Sequence, residues 1–597
     1  MQKLLSQLLP AFNHTALAAD GKSSVEKNDI ANIPITNLVF DSREVKSGSL
    51  FFALPGIHAN GNNFIADAIR NGANAIVYQD EIPEPIKKEC ASLIAKRGIE
   101  SLTTDKKQHL PAFLKVRDSR FAMAPISDAF YDSPSKRLIV IGVTGTEGKS
   151  STVSFIWQLL RLCGERAGFI STVEYSLGED AKPNPEHQTT PEAPIIQHQL
   201  NAMLENGCKY AVIESSSHGL STRTNRLGNI QFDCAVFMNV THEHLEFHKT
   251  FEQYRSDKAN LFRSLDKIEH IKTIAGEVVK INSIGIVNLE DPSATYFASS
   301  TKHHVYGFTT EGQAGKALAE TGEKANALPA IPDDVRYMLA RNIANARFGI
   351  SFSIDADGSD AVFHPGDDPA LPRKRPVIHV TTPLPGAFNA YNVMAALIAV
   401  SSVTQKSFEE IAQYIPKLKA VRGRMTVIEK GQPFEVIVDY AHTPSSFETI
   451  LPSVKKRCSG RLFAVFGSGG ERDTAKRSIQ GEIAARFCDM LFLTDEDPRH
   501  EDSMEILEMI ASGAEKLGKR KDIDMFLIPD RPSAIRKAFS LATNEDIVLL
   551  LGKSHENSII YKDFPMPYDE LKEAENALYE MGYKSTNLDA EQQGIKY

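Results

Sequence analysis

The stretch LIVIGVTGTEGKSSTV, residues 138 to 153, decides the fold, because an apolar strand empties into a glycine-rich turn that closes on Lys149 and Ser150. In such a turn backbone amides cradle phosphate oxygens, a lysine neutralises β/γ charge, and a hydroxyl meets Mg²⁺ at the dipole of the following helix. Thr144, Gly145, Thr146, Glu147, Gly148, Lys149, Ser150 and Ser151 are therefore candidate triphosphate-binding residues. The common spacing of phosphate loops puts a glycine six residues before the lysine. Here Val143 stands there, with Gly142 and Gly145 on either side. Alone, the turn is equally compatible with a plain strand-to-helix connection, so its surroundings must decide.

Outward from this turn, apolar strands recur with helical stretches between them: YAVIE, FDCAVFM and SIGIVN. Val153, Ile156, Trp157 and Leu160 form an i, i+3, i+4, i+7 stripe, which predicts that the helix after the turn packs on a core. After GRM at 423 to 425 a further alternation begins, with EVIVD, LFAVFG, MLFLTD and DIVLLLG. Strands alternating with helices at this spacing predict parallel, doubly wound sheets whose ligands gather at the carboxyl ends of the strands. Before the turn, the sequence predicts a helix at the N-terminus, then short strands and turns over 35 to 80, a helix around Phe64 to Asn71 and the strand AIVY. Residues 81 to 115 are charged and irregular, as expected of an insertion or a surface helix. Residues 309 to 333 and 354 to 376, rich in Ala, Gly, Asp and Pro, are expected to be exposed excursions. Three units follow, 1–135, 136–420 and 421–597.

The chain of 597 residues is too long for one core. Its net charge of −9 gives no reason to expect a nucleic-acid surface, so local basic groups must hold any anion. Six widely separated cysteines without a CxxC pair argue against a zinc site or a disulfide framework, and fit a reducing cytoplasm. The opening MQKLLSQLLPAFNHTALAA loosely imitates a secretory signal, but Ser6, Gln7, Pro10, Asn13 and His14 interrupt it. No segment approaches the roughly 20 apolar residues needed to span a bilayer.

Glu214 follows YAVI and opens ESSSH; Asn239 opens NVTHEHLEFH, which contains His244; Lys258 lies in YRSDKANLF. A carboxylate, an imidazole and a lysine at strand ends beside a phosphate turn predict a metal-assisted phosphoryl site. Taken singly, Glu214 could cap a helix, His244 could be an interior histidine and Lys258 a solvated one.

Together these segments resemble the Mur ligases, and the MurE type in particular. The resemblance spans Asn37 to Glu556 and includes NLVFDSREVKSGSLFFALPG, GVTGTEGKSS, TTP, ESSSH, HEHLEFH, YRSDKANLF, GAFNAYN, GRM, VDYAHTPSSF, FGSGGERDTAKR, DEDPR and GKSHE in order. It implies an α/β protein of three domains: an N-terminal mixed α/β UDP-binding domain, a central P-loop ATPase domain with a mainly parallel sheet, and a C-terminal Rossmann-like, amino-acid-binding domain. The implied activity is an ATP-dependent amide ligase of peptidoglycan biosynthesis. It would activate the D-Glu γ-carboxylate of UDP-N-acetylmuramoyl-L-alanyl-D-glutamate as an acyl phosphate and join it to a diamino acid. The family loop has the glycine spacing found here, although Glu147 replaces its usual Asn.

By the same resemblance Lys149, Glu214, His244 and Lys258 are catalytic candidates. Ser150 and Glu214 would serve one Mg²⁺, and His244 with Lys258, carbamylated by CO₂, a second. Asn389, Arg424, Asp439 and Lys476 would face ATP, although Asn389 and Asn392 could equally be helix N-caps. Ser42, Ile57, His58, Ala59, Gln188, Thr189, Thr190, Ser216 and Arg226 would meet the UDP-muramoyl dipeptide; Gln188 stands where the family has Asn. The amino acid would meet Arg472, Glu496, Asp497, Pro498, Arg499, Gly552 and Glu556. Arg499 suits a substrate carboxylate, while Asp497 beside Glu496 makes the pocket more anionic and favours a basic diamino acid; L-lysine, L-ornithine and meso-diaminopimelate all remain open. A cytoplasmic monomer without nucleic-acid or membrane partners is expected. The competing readings are a folylpolyglutamate synthetase, the next Mur enzyme, or a noncatalytic nucleotide-binding relative.

Overall fold

The structure, a computed structural model, describes residues 1–17, 23–56, 60–103, 109–185, 188–241, 243, 245–311, 336–346, 349–356 and 377–583. Three principal sheets follow one another along the chain. The first contains β1 (Thr15–Leu17), β2 (Asn37–Val39), β3 (Ser49–Phe52), β4 (Ala75–Tyr78) and β5 (Ala112–Lys115) in the order β1-β5-β4-β3-β2, parallel except for β1. Of the insertion and the surface helix expected after β4, the structure has the helix: α1 (Glu84–Thr103) is the crossover that carries the chain to β5. Parallel neighbours need a connection of a dozen or more residues, and a polar helix with one packed face supplies it. The expected N-terminal helix is Leu5–Leu8, followed by a 3₁₀ turn at Leu9–Ala11, because Pro10 lies within that turn and cannot extend the α-helical bonding.

The central sheet has eleven strands. They are β6 (Ile139–Thr144), β7 (Ala167–Ile170), β8 (Glu174–Ser176), β9 (Lys182–Pro183), β10 (Tyr210–Glu214), β11 (Cys234–Phe237), β12 (Ile284–Asn288), β13 (His304–Thr310), β14 (Arg336–Ala346), β15 (Gly349–Ala356) and β16 (Ile378–Thr382). Their order is β9-β8-β7-β10-β6-β11-β12-β13-β14-β15-β16, parallel from β7 to β14 and antiparallel at both flanks. The inner strands are apolar on both faces because helices cover both. On one face α2 (Lys149–Leu162) and α3 (Asn389–Thr404) pack together; Val153, Ile156, Trp157 and Leu160 are all buried, as their spacing predicts. On the other, α4 (Phe251–Leu265) buries Tyr254, Leu261, Phe262 and Leu265. Much of the two segments expected to be excursions, 312–335 and 357–376, lies outside the described residues.

The third sheet joins β17 (Thr426–Ile428), β18 (Glu435–Asp439), β19 (Leu462–Phe466), β20 (Met490–Leu493), β21 (Met525–Leu527) and β22 (Ile547–Leu551) in the order β17-β18-β22-β19-β20-β21, with only β17 antiparallel. The segment beyond Ile560 completes this unit. Its helix Glu570–Glu580 buries Ala574, Ala577 and Leu578, and Glu570 forms a fully buried bidentate pair with Arg531. No described helix is long and apolar enough to cross a membrane.

Candidate active site

Strand order explains why the polar motifs converge. β6 lies between β10 and β11, with Val143 opposite Glu214 and Thr144 opposite Phe237. Thus the phosphate turn, Glu214 and the Asn239 segment leave adjacent strands at the same carboxyl edge. Gly148 ends the turn at φ +81, a conformation that favours glycine, and an added Cβ would lie 2.8 Å from Asn392 Oδ1. Gly142 has a packing role instead, since a Cβ there would meet Leu261 and Phe232 within 3 Å. The turn is braced from outside: the amides of Thr146 and Glu147 both donate to Asn239 Oδ1, at 3.1 and 2.8 Å. Tyr254 OH lies 3.0 Å from Thr146 Oγ1. The first-turn amides from Lys149 onward are those that a helix leaves without intrahelical acceptors, and they face an anion with the favourable dipole.

Lys149 folds back to donate to the Thr146 carbonyl at 2.7 Å. Ser150 Oγ donates to Glu214 Oε2 at 2.9 Å, and Thr172 holds both Glu214 oxygens through its amide (2.8 Å) and hydroxyl (3.0 Å). Glu214 is buried and fixed from three sides. Thr190 Oγ1 donates to the Glu214 carbonyl and accepts from the Ser216 amide, which ties the TTP turn to the same strand end.

Lys258 shares the apolar stripe of α4 with Tyr254, Leu261, Phe262 and Leu265, so the helix carries it inward. It is 2 % exposed, which rules out a solvated lysine. Its Nζ donates to the Gly145 carbonyl at 2.6 Å and lies 4.6 Å from the Tyr254 ring centre. Burial, and then the neighbouring Lys149 cation, push its pKa well below the ordinary lysine value. The amine therefore gains a neutral, nucleophilic population. His244 lies outside the described residues. Among the described residues no His, Cys, Asp and Glu side chains form a cluster of three able to hold a metal.

The C-terminal unit closes on this edge. Arg424 reaches Ser150 Oγ at 3.4 Å and stacks over Tyr440, Thr443 Oγ1 lies 3.3 Å from Glu147 Oε1, and His442 Nε2 lies 3.9 Å from Glu243 Oε1. Burial and then the Glu243 carboxylate push the Glu147 pKa up to about 7. Burial and then Lys476 push His442 down to about 4. Lys476 itself touches the His442 carbonyl at 3.4 Å. Asp439 accepts the amides of Met425 and Ala441, both at 2.8 Å, so its carboxylate shapes the strand end where it sits. Asn389 and Asn392 bond to each other, and Asn392 Oδ1 accepts from Thr152, so this pair joins α3 to α2 beneath the turn.

Farther along the third sheet, Lys553 is buried between Asp497, at 2.8 Å, and Glu556, and Tyr440 OH donates to Glu556 at 3.1 Å. Burial works against the Lys553 charge, but Glu556 and Asp497 outweigh it and raise its pKa. Asp497 thus has Lys553 as an ion partner, but that lysine is shared with Glu556, so the three groups together keep a net negative charge. Glu496 Oε2 and Arg499 Nε are among the buried polar atoms that have no hydrogen-bond partner within the described residues. A Cβ on Gly552 would lie 3.1 Å from that Glu496 oxygen, so glycine keeps the space open. Pro498 is buried in the same turn, whereas Arg472 is exposed.

On the first unit's side, Arg226 bonds the Thr190 carbonyl and Glu192, at 2.8 and 2.9 Å, and Arg120 pairs with the same Glu192. Arg226 is thereby linked to the TTP turn that Thr190 ties to Glu214. Gln188 is exposed and Thr189 half-buried beside it. Ser42 sits in a 3₁₀ turn, its carbonyl accepting from Asn71, and Ile57, His58 and Ala59 lie outside the described residues. Sequence reasoning gave Asn239 and Tyr254 no role, although the structure makes each a brace of this edge. Asn239 stood where a signal existed, directly after a strand parallel to β6.

The chain matches three family models: "Mur ligase family, catalytic domain" over residues 34–131, "Mur ligase middle domain" over 143–400, and "Mur ligase, glutamate ligase domain" over 423–554. It is 47% identical over 567 residues to a UDP-N-acetylmuramyl-tripeptide synthetase of Treponema denticola, covering 93% of this chain and 95% of the relative. It is 33% identical to a UDP-N-acetylmuramoyl-L-alanyl-D-glutamate--2,6-diaminopimelate ligase of Geobacillus kaustophilus, covering 92% and 96%. A solved structure of a ligase of the latter name superposes with a TM-score of 0.54 at 23% identity, covering 96% of this chain and all of that one. A MurF ligase from Thermotoga maritima in complex with ADP gives 0.54 at 18% identity, covering 91% and 97%.

Proposed function

The chain belongs to the Mur ligase family, and from that premise we propose that it joins a diamino acid to UDP-N-acetylmuramoyl-L-alanyl-D-glutamate at the expense of ATP. The observation that carries this reading is the convergence of Lys149, Ser150, Glu214 and Lys258 at one sheet edge, closed over by Arg424. A carboxylate is a poor electrophile. Its oxygen attacks the γ-phosphorus, ADP leaves, and the acyl phosphate so formed exposes an activated carbonyl. The α-amine of the amino acid attacks that carbonyl, loses a proton and expels inorganic phosphate.

Two anions must meet in the first step, so cations and oriented dipoles have to surround them. Lys149 and the first-turn amides of α2 suit the β/γ-phosphates, and Arg424 suits the phosphates from the opposite domain. Ser150 and Glu214 offer hard oxygen donors at a helix N-terminus, a set that fits Mg²⁺ with water completing its shell. When bound, Mg²⁺ supplies charge neutralisation between the anions. The Lys258 amine is a poor partner for a cation as it stands. Neutral, it adds CO₂ with release of one proton, and the resulting carbamate offers oxygens where His244 would serve as a second donor to a second ion.

In the C-terminal pocket, Glu496 and Arg499 together offer one negative and one positive group to the amino acid. Phosphate release from ATP, measured with the UDP-muramoyl dipeptide and each of L-lysine, L-ornithine and meso-diaminopimelate, tests the proposal. Release that requires both the dipeptide and one amino acid is expected. Release independent of any amino acid would overturn it.

A further inference from the structure

A buried polar chain lies behind the phosphoryl edge and is used by none of the steps above. His248 Nδ1 is 2.8 Å from Asp257 Oδ2, and His248 Nε2 is 3.0 Å from Ser217 Oγ. All three side chains are buried, at 2 %, 2 % and 1 % exposure. A carboxylate only accepts, so Nδ1–H donates to Asp257, and in the neutral ring Nε2 accepts the Ser217 hydroxyl proton. Gln253 donates to the second Asp257 oxygen at 3.0 Å. The His248 ring also packs 5.1 Å from that of Tyr254, whose hydroxyl braces Thr146 and whose face lies under Lys258 Nζ.

The ends of this chain matter more than its middle. Asp257 is the residue before Lys258, and Ser217 follows Ser216 in the turn that begins at Glu214. We propose that His248 is a positioning residue: through Asp257 and Ser217 it fixes the Lys258 helix against the Glu214–Ser217 turn, in the register that lets Lys258 hold its carbamate beside Glu214. This rests on the reading of Lys258 as a carbamate-bearing lysine. Apolar side chains of similar volume would fill the space at less desolvation cost, whereas a polar chain bonds in one arrangement only and so fixes the two elements in register. Outer partners of this kind orient the groups that meet a metal, and their loss costs roughly 10- to 100-fold in metal affinity or activity.

The test uses the full-length enzyme with Asp257→Ala, Asp257→Asn and Ser217→Ala, each assayed across bicarbonate concentration and labelled with ¹³C-bicarbonate for NMR. Asp257→Ala is expected to lower kcat by about 100-fold at ambient CO₂. Its activity should recover as bicarbonate rises, with the half-saturating concentration shifted upward by about 10-fold. Asp257→Asn keeps an acceptor for Nδ1–H and should recover most of the loss. Ser217→Ala, which breaks the far end without touching the helix, should show the same bicarbonate shift in smaller degree and serves if Asp257→Ala does not fold. Label on wild-type Lys258 and equal label on Asp257→Ala or Ser217→Ala at the same low bicarbonate would overturn the positioning role alone. No label on the wild-type enzyme would overturn the carbamate reading, and the proposal with it.

Discussion

Around the phosphate loop, polar side chains are held by the backbone and by neutral partners, whereas around Arg499 charged side chains hold one another. Glu214 is fixed by Thr172 and Ser150, and the turn by Asn239, so neither needs a counter-ion to keep its place. Asp497 and Glu556 instead share Lys553 in a charged row, with Tyr440 at its end. The first arrangement is preorganised for charge that arrives with the substrates. The second ties two carboxylates to one lysine and so keeps a net negative charge beside Glu496 and Arg499, the pair proposed above to meet the amino acid.

The largest effect should come from the phosphate-loop end. Lys258→Ala removes the one amine placed between Gly145 and Tyr254, and kcat should fall on the order of 10³-fold, as for loss of other transition-state charge partners. Short carboxylic acids should restore part of the activity by supplying the missing oxygens. Full activity in the variant, measured as phosphate release, would mean that this end is not preorganised around Lys258.

Arg499→Ala probes the other end. If the guanidinium grips a carboxylate on the distal end of the amino acid, KM for meso-diaminopimelate should rise about 10- to 100-fold, the worth of a charge-assisted hydrogen bond. KM for L-lysine or L-ornithine should move little. A uniform rise across the three amino acids would assign Arg499 to the shape of its turn, where it sits at φ +56 and its amide bonds Ile560.

Lys553→Met asks how far the charged row depends on its shared lysine. Removing the buried cation leaves Asp497 and Glu556 facing each other unneutralised. The expected cost is about 2 kcal/mol of stability, below the 3–5 typical of a fully buried broken pair because Glu556 remains partly solvated. Thermal melting reads that loss, and Asp497→Asn in the same chain should recover part of it. Unchanged melting would show that water already screens the row.

The sheets and the central half of the site were legible because they rest on local rules. Apolar runs ending in glycine or a carboxylate mark buried parallel strands, and the carboxyl edge of such a sheet collects whatever follows them. The stripe Val153, Ile156, Trp157 and Leu160 follows from helical period, whereas Lys258, solvated on a reading of the residue alone, was singled out by the resemblance. What stayed hidden depends on partners distant in sequence. Asp497 read as a charge without a partner because Lys553 lies 56 residues away. Residues 81 to 115 left an insertion and a surface helix both open, because a polar crossover helix has no strong apolar stripe to announce it. Asn239 and Tyr254 are braces whose meaning exists only once strand order and helix packing have set their neighbours.

The smallest expected effect lies where the two ends touch. Glu147 is half-buried beside Glu243 and Asp439, and its pKa is raised from 4.5 to about 7, with burial the largest cause. A folded-state pKa above the unfolded one means that the native protein holds this proton more tightly. Its contribution to stability is therefore favourable at low pH and declines as pH rises from about 4.5 to about 7. Phosphate oxygens add further negative charge, so ATP should also bind better with Glu147 protonated. KM for ATP should increase a few-fold from pH 6 to pH 8 beyond the change that Glu147→Gln shows, since glutamine keeps the shape and the Thr443 contact without titrating. The variant should also be more stable than the parent at pH 8 and lose that advantage toward pH 5. Parallel pH profiles for the two proteins would mean that Glu147 is neutralised by Lys149 and Arg424 throughout, and that the phosphate-loop end, like the Arg499 end, holds its charges in ion pairs.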